Sequence, residues 1–136
     1  MAYRVGVDLV GVSAIEQALR DHGDRYLSRV YSPAEVAGSS TDGRPDPMRL
    51  AARFAAKEAT LKVLRTPDVG IPWASIEVVR AEWGGVALVL SGVAAEQAAK
   101  QSLTSFDVSL THDSGFAVAV VLAEESGPMP GDHHRP

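Results

Sequence analysis

Alternation of apolar and polar positions marks the first element of the chain. Between Tyr3 and Val10 the residues Val5, Val7 and Leu9 share one face, and Asp8 lies on the other. A period of two is typical of a β-strand. Two later pairs of short apolar segments predict β-hairpins, because a turn containing glycine joins each pair. These pairs are Ile76–Arg80 with Val86–Leu90, and Phe106–Thr111 with Phe116–Leu122.

A helical period predicts one long helix from about Met48 to Arg65. At about 100° per residue its large apolar side chains lie on one face, and alanine fills much of the remainder. These large residues are Leu50, Phe54, Leu61 and Leu64. Capping and turn residues predict shorter elements elsewhere. They are helices over Val12–Arg20 and Asp24–Arg29, a helix capped by Ser32, a helix from Ser91 to about Ser102, and a loop over Gly38–Pro47.

The order of these elements predicts an α+β fold, in which a small antiparallel sheet packs with one long and several short helices. The length of 136 residues, with 46% hydrophobic and 22% charged residues, agrees with one globular domain. We expect this domain to span residues 1–125. The segment 126–136 is rich in glycine and proline, which predicts a disordered tail.

The composition also excludes several classes of protein. No apolar segment reaches the roughly 20 residues of a membrane helix, and no signal-peptide segment is recognisable, so we expect a cytoplasmic protein without a membrane anchor. The chain has no cysteine, which excludes disulfides and cysteine-ligated metal sites.

Positive charge is concentrated in one part of an acidic chain. Residues 14–65 hold nine of the 13 Lys/Arg and seven of the 17 Asp/Glu, within a chain whose net charge is −4. This distribution favours a local anion-binding face, although an ordinary solvated helix surface would give the same pattern. The acidic balance and the absence of a nucleic-acid motif argue against nucleic-acid binding.

The long helix carries the residues with the clearest chemistry. Glu58 lies on the flank of the apolar stripe, and Lys62 follows one turn later, so the two either form a surface ion pair or line a phosphate and metal pocket. Lys57 falls inside the apolar stripe, from which its side chain would have to extend to water. Asp8 is a second carboxylate in a strand, where aspartate is disfavoured, and His112 enters a turn after another strand. Spacing alone does not bring these residues together.

Three segments in order carry a family resemblance: GVDLV at Gly6–Val10, ARFAAKEATLK at Ala52–Lys62 and VSLTHD at Val108–Asp113. They resemble the signatures of holo-(acyl-carrier-protein) synthases, the small AcpS-type group of 4′-phosphopantetheinyl transferases. The resemblance covers about residues 3–123.

The resemblance implies a homotrimer with active sites at the subunit interfaces. It also implies a reaction in which coenzyme A donates its phosphopantetheine arm to a serine of an acidic acyl carrier protein, with Mg²⁺ required and adenosine 3′,5′-bisphosphate released. The residues it implies for metal binding are Asp8 and Glu58, and those for catalysis are Glu58 and Lys62. For coenzyme A binding they are Arg53, Lys57, Lys62, Thr111 and His112. For carrier-protein binding they are Arg20, Arg25, Tyr26 and Arg29.

The sequence does not decide the catalytic base, the carrier protein or one alternative function. The base that deprotonates the serine is either Glu58 or a water molecule at the metal. Gly11 and Ala14 stand where the family commonly has an acidic residue and an arginine, so the carrier is either a fatty-acid or a polyketide carrier protein. A non-catalytic relative that binds coenzyme A or a carrier protein is the main alternative. A Mg²⁺-dependent nucleotide hydrolase is disfavoured because no glycine-rich phosphate loop precedes a helix.

Overall fold

The computed structural model describes residues 2–126, so the tail predicted over 126–136 lies outside the described residues except for Ser126. The strands and helices follow one another in the order that the sequence pattern predicts. The helices are α1 (Val12–His22), α2 (Asp24–Val30), α3 (Pro33–Gly38), α4 (Pro47–Leu64) and α5 (Gly92–Lys100). The strands are β1 (Ala2–Gly11), β2 (Ser40–Thr41), β3 (Arg44–Pro45), β4 (Ile76–Arg80), β5 (Val86–Leu90), β6 (Leu103–Asp113) and β7 (Phe116–Glu125).

The main sheet has three antiparallel strands in the order β1-β7-β6. In its register, Asp8 pairs with Ala119, which pairs on its other side with Leu110. His112 is two residues further along β6 and pairs with Ala117. β4 and β5 form a separate hairpin, and the predicted loop before α4 contains a further short hairpin of β2 and β3. The α+β class is therefore confirmed.

Helix α4 packs on one face of the main sheet through alanines instead of large side chains. Ala55, Ala56 and Ala59 have no exposed surface, and Gly6 of β1 faces the carbonyl group of Ala59. Small side chains let a helix and a sheet approach closely, as glycine does wherever two backbones meet. The predicted stripe of larger residues is only partly right, because Leu50 and Leu64 are fully buried while Phe54 and Leu61 are partly buried.

Both ends of α4 are held by polar side chains. Asp46 caps the start of the helix, since its carboxylate accepts a hydrogen bond from the N–H of Met48 at 3.0 Å. At the other end Arg4 donates to the carbonyl oxygen of Val63 at 3.1 Å, and Gln101 donates to that of Leu64 at 2.7 Å. These bonds satisfy carbonyl groups that have no partner inside the helix. They fix the axial position of α4 against β1 and α5.

The opposite face of the main sheet is apolar and exposed. Tyr3 is 62% exposed and Val5 is 64% exposed. The same face includes the exposed residues Val7, Leu9, Phe116, Val120 and Leu122. The strand β1 thus turns its more apolar side outward and its side with Gly6 and Asp8 toward α4. Within residues 2–126, no helix is long and apolar enough to cross a membrane, and the cytoplasmic location stays a prediction.

Candidate active site

Asp8 and Lys62 form an ion pair at the edge where β1 meets α4. The Lys62 Nζ atom lies 3.2 Å from Asp8 Oδ1 and donates a hydrogen bond to the carbonyl oxygen of Val7 at 2.8 Å. The side chain of Asp8 is 18% exposed and that of Lys62 is 54% exposed, so a solvent molecule or ligand has access to the pair. The close packing at Gly6 brings Asp8 to this position, because it lets β1 approach the helix that carries Lys62.

Glu58 joins this pair from the preceding turn of α4. Burial raises the pKa of the Glu58 carboxyl group, the negative charge of Asp8 raises it further, and Lys62 lowers it. The two carboxylates are therefore near enough to repel each other. The structure brings together Asp8, Glu58 and Lys62, which sequence spacing alone did not. We call these three residues the acidic edge.

A groove of about 370 Å³ begins at the acidic edge. Glu58 and Lys62 form its polar end, while its walls come from the last turn of α4 and the segment that follows. The wall residues are Leu61, Arg65, Thr66, Pro67, Val69 and Ile71. The side-chain oxygen of Thr66 is buried and has no hydrogen-bond partner among the described residues. The groove thus combines apolar walls, one unpartnered hydroxyl group and a charged end.

Two carboxylates suit one kind of metal ion in particular. The described residues contain no group of three or more acidic or histidine side chains that could hold a metal ion. Mg²⁺ commonly takes only one or two protein carboxylates and completes its shell with phosphate oxygens and water. The acidic edge therefore fits Mg²⁺ together with a phosphate ligand, and it does not fit a site made of protein ligands alone.

Arg53, Thr111 and His112 lie together in a second cavity, of about 340 Å³. Arg49 and Arg80 line the same cavity and were not among the residues expected from the sequence. We call this cavity the arginine pocket. Arg49 precedes Arg53 by one helical turn, so the sequence held a signal for it, whereas Arg80 reaches the pocket from β4 only through the tertiary fold.

Arg53 is held at the base of the arginine pocket with unused hydrogen-bonding capacity. It is 9% exposed, and it donates to the carbonyl oxygens of Gly38 at 3.4 Å and Arg49 at 3.5 Å. Burial lowers its pKa, as do the neighbouring Arg80 and Arg49, against the opposing effect of Glu35. Its Nε atom is buried and has no hydrogen-bond partner within residues 2–126. An unpartnered guanidinium donor with two further arginines beside it favours the binding of an anion.

The prediction that Lys57 extends to water and binds coenzyme A is wrong, because its side chain is buried. Its side chain has no exposed surface and pairs with the equally buried Glu35, with 2.8 Å between Nζ and Oε1. The same ammonium group donates to the carbonyl oxygens of Trp73, at 3.2 Å, and Ile76. All three N–H groups of the ammonium ion are therefore used, and none remains for a coenzyme A phosphate or for water. Lys57 is part of the interior of the protein.

Glu35 was missed as the partner of Lys57, although its capping role was visible in the sequence. Ser32 caps α3 as predicted and forms a capping box with Glu35, whose other carboxylate oxygen accepts from the N–H of Val78 at 2.9 Å. Burial lowers the pKa of Lys57, while the hydrogen bond and the charge of Glu35 raise it. The pair joins α3, α4 and β4.

Three of the four residues expected to contact a carrier protein lie together, and the fourth does not. Arg25, Tyr26 and Arg29 line a cleft of about 200 Å³ together with His22, which was not expected there. Arg20 lies outside this cleft and donates to the side-chain oxygen of Gln17 at 2.8 Å. Gly11 is the residue that precedes α1, and no side chain caps this helix.

The acidic edge and the arginine pocket lie on different sides of α4. Arg53 and Glu58 are five residues apart, which corresponds to roughly 140° around a helix. The residues that line the two cavities do not overlap. Within a single chain, these residues therefore line two separate cavities.

A groove with a charged end and a cavity lined by arginines are features that suit a phosphorylated ligand, and comparison with known proteins identifies the family. The sequence model of the 4′-phosphopantetheinyl transferase superfamily, ACPS, matches residues 4–121. The chain therefore belongs to this superfamily, and the class of enzyme that the sequence predicts is confirmed.

Named relatives define the group within the superfamily. The chain is 42% identical over 132 residues to the holo-[acyl-carrier-protein] synthase of Anaeromyxobacter dehalogenans, covering 94% of this chain and 100% of the relative. It is 44% identical over 121 residues to the synthase of the same name from Frankia alni, covering 88% and 95%.

Solved structures agree with these sequence relatives. The complex of ACPS with CoA from Chronobacterium ammoniagenes matches with a TM-score of 0.79 and 33% identity, covering 93% of this chain and 100% of that chain. The holo-[acyl-carrier-protein] synthase of Helicobacter pylori in complex with coenzyme A matches with a TM-score of 0.77 and 27% identity, covering 89% and 100%.

Proposed function

We propose that the chain transfers the 4′-phosphopantetheine arm of coenzyme A to a serine of an apo acyl carrier protein and releases adenosine 3′,5′-bisphosphate. The observation that carries this proposal is the acidic edge, where Lys62 lies 3.2 Å from Asp8 and the charge of Asp8 raises the pKa of Glu58. A carboxylate pair beside an ammonium group at the end of a groove suits chemistry on a pyrophosphate.

Asp8 and Glu58 are the residues that would hold Mg²⁺. Their mutual repulsion, which the raised pKa of Glu58 reflects, is relieved by a cation between them. When bound, the ion supplies positive charge that neutralises the pyrophosphate oxygens. The ammonium group of Lys62 is then available to a phosphate oxygen in place of Asp8.

The residues of the acidic edge act on the transfer itself. The serine hydroxyl oxygen attacks the β-phosphorus of coenzyme A, the bond from that phosphorus to the bridging oxygen breaks, and the bisphosphate departs. Lys62 neutralises the charge on the leaving phosphate. The serine proton passes to a base at this edge, and Glu58 is the candidate that the chain itself supplies.

The arginine pocket suits the nucleotide end of coenzyme A. Arg49, Arg53 and Arg80 present guanidinium groups to the same cavity as His112, and guanidinium groups bind phosphate through paired hydrogen bonds. Thr111 lies beside them. Neither Asp nor Glu lines this cavity among the described residues, so the charge in it favours an anion.

We further propose a homotrimer in which each active site combines the acidic edge of one copy with the arginine pocket of the next. Two observations support it. The half-sites lie roughly 140° apart around α4, so one chain does not close a site around a single ligand. The outer face of the main sheet exposes a run of large apolar side chains, including Val5 at 64% and Leu9 at 59%, and a face of this kind is typical of an interface between subunits.

The cleft of Arg25, Tyr26 and Arg29 is the proposed contact for an acidic carrier protein. Three basic side chains, including His22, surround one half-buried tyrosine, so the cleft offers both positive charge and apolar surface. Gly11 and Ala14 remove two side chains that the family commonly has near this contact. The substrate is therefore either a fatty-acid carrier or a polyketide carrier, and both are tested.

Intact-protein mass spectrometry of an apo carrier protein tests this function. The carrier is incubated with the protein, coenzyme A and Mg²⁺, and controls omit the metal or use Asp8→Ala. The expected result is a metal-dependent gain of one phosphopantetheine arm, with the faster carrier class identifying the substrate. Bound coenzyme A without transfer to either carrier would overturn the proposal and favour a non-catalytic binding protein of the same fold.

A further inference from the structure

A tryptophan stands exposed at the tip of the β4–β5 hairpin, next to the arginine pocket. Trp83 is 77% exposed, although the turn that carries it is well ordered by hydrogen bonds. The N–H of Gly84 donates to the carbonyl oxygen of Ala81 at 3.0 Å, and the N–H of Ala81 donates to that of Gly85 at 2.8 Å. The closed backbone turn therefore presents a large aromatic surface to solvent.

Gly85 leaves space for the indole. A β-carbon at residue 85 would lie 1.9 Å from Cη2 and 2.3 Å from Cζ2 of Trp83, so the ring occupies the space beside the glycine. The φ angle of Gly85 is outside the left-handed region, so the backbone there does not require glycine. The Trp83 ring, and not the backbone conformation, is therefore what excludes a side chain at residue 85. The ring lies against Gly85 on one side, and most of the indole stays open to a ligand.

The open indole borders a cavity that continues into the arginine pocket. This cavity, of about 290 Å³, includes Trp83 and Val86 and shares Arg53, Arg80 and Leu110 with the arginine pocket. No carboxylate lines either cavity among the described residues. An aromatic surface thus lies at one end of a cationic cavity, an arrangement that matches a planar base attached to phosphates.

We propose that Trp83 stacks on the base of the nucleotide whose phosphates bind in the arginine pocket. The inference rests on the proposed function, since it takes that nucleotide to be the adenosine 3′,5′-bisphosphate part of coenzyme A. An indole side chain has only two rotatable bonds, so little side-chain entropy is lost when the base binds. Trp83 is a binding and specificity residue, and the transfer chemistry does not pass through it.

A comparison of two ligands tests this assignment. Calorimetry measures the affinity of wild type, Trp83→Ala, Trp83→Phe and Gly85→Ala for adenosine 3′,5′-bisphosphate and for ribose 3,5-bisphosphate, which has the phosphates without the base. We expect Trp83→Ala to weaken nucleotide binding at least about fivefold and to leave the sugar bisphosphate unchanged. Trp83→Phe and Gly85→Ala, which reduce or displace the aromatic surface, should give intermediate losses. Equal losses for both ligands, or none for either, would overturn the inference.

Fluorescence gives an independent readout. The chain has two tryptophans, and Trp73 packs on Phe54 with ring centroids 5.2 Å apart. Nucleotide should quench emission in wild type and leave the remaining emission of Trp83→Phe unchanged. Quenching that persists in Trp83→Phe contradicts the stacking.

The failure of this inference is distinguishable from failure of the proposed function. If wild type binds both bisphosphates equally and still modifies a carrier protein, only the role of Trp83 is overturned. If wild type binds neither ligand and transfers no arm, the proposed function falls as well. Dissociation of the assembly in Trp83→Ala would identify Trp83 as a subunit contact and overturn the stacking role.

Discussion

Gly6 of β1 and Ala59 of α4 approach so closely that a β-carbon at residue 6 would lie 2.2 Å from the carbonyl oxygen of Ala59. The obstacle is backbone, which does not move aside as a side chain would. This contact holds the strand that carries Asp8 against the helix that carries Glu58 and Lys62. The geometry of the acidic edge thus depends on a glycine that takes no part in the chemistry.

We therefore expect Gly6→Ala to separate β1 from α4. The added methyl group should lower the free energy of unfolding by about 1–3 kcal/mol, as overpacking of a tight interior does. Activity should fall by a larger factor than the folded fraction, because Asp8 moves away from Lys62. Urea unfolding and the transfer assay measure the two effects. Gly11→Ala is the matched control, since its nearest neighbour would be 3.7 Å away, and equal behaviour of both variants would contradict this account.

Glu58→Gln should remove activity without loss of stability. Because the pKa of Glu58 is raised in the folded chain, the folded state binds more protons than the unfolded state between the ordinary pKa and the raised one. The free energy of unfolding of the metal-free protein therefore falls as pH rises through that window, and Glu58→Gln should abolish this contribution. Unfolding curves between about pH 4 and pH 8 measure it.

Transfer activity gives the second half of this prediction. We expect Glu58→Gln to lose at least about 100-fold in turnover. Glu96→Gln, on the exposed side of α5, is the control and should change neither turnover nor the pH profile. Full activity in Glu58→Gln would remove Glu58 from the proposed site.

Two lysines on α4 should respond in opposite ways to the same substitution. Lys57→Met leaves the buried Glu35 carboxylate without its charge partner, and breaking such a pair costs about 3–5 kcal/mol. Lys62→Met breaks a half-exposed pair that contributes less than about 1 kcal/mol, yet it should abolish transfer. Thermal or urea unfolding measures the difference in stability.

The double variant Glu35→Gln with Lys57→Met tests the buried pair further. The single amide oxygen of Gln can replace one of the two carboxylate oxygens that accept from the N–H groups of Ser32 and Val78, and the variant leaves no buried charge unpaired, so part of the lost stability should return. If Lys57→Met were as stable as wild type and lost only coenzyme A affinity, the role of Lys57 in the interior would be refuted.

Two variants that are each inactive should restore activity when mixed, if active sites are shared between copies. Glu58→Gln removes one carboxylate of the acidic edge, and Arg53→Ala removes one guanidinium group of the arginine pocket. After unfolding and refolding together, roughly a quarter of the interfaces combine two intact halves, so about a quarter of wild-type activity is expected. Sedimentation velocity measures the assembly in parallel. Monomers, or mixtures that stay inactive, would contradict the shared site.

Arg25 and Arg29 should influence carrier recognition more than Arg20 does. They line the cleft with Tyr26, whereas Arg20 lies outside it and is bonded to Gln17. We expect alanine at 25 or 29 to lower kcat/KM for an acidic carrier several-fold at low ionic strength, with the difference disappearing as salt is added. Equal losses for Arg20→Ala, or losses that salt does not change, would argue against this cleft as the contact.

Local patterns predicted the elements of the fold well, because they depend on neighbours in the chain. The strands at Ile76–Arg80 and Val86–Leu90 have the bounds that the sequence predicts, and the capping box at Ser32 is present. The end of α5 differs by two residues, since Ser102 has a φ angle of 57° that a helix does not contain.

Relationships across the chain were harder to predict. The sequence gives no sign of which face of β1 is inside, and the structure turns the less apolar face toward α4 because Gly6 alone permits the close approach. Lys57 was expected to extend to water because its partner Glu35 lies 22 residues away and no local pattern joins the two. Arg80 joins the arginine pocket from a different hairpin, which no local period indicates.

The alanines of α4 have a consequence for how this chain can vary. Ala51, Ala55, Ala56 and Ala59 have no exposed surface, and each already carries the smallest side chain that favours a helix. A substitution at these positions either adds atoms to a filled space or, with glycine, loosens the helix. Substitutions that keep the stability of α4 are therefore expected only at its outward positions, and these alanines fix the distance between helix and sheet.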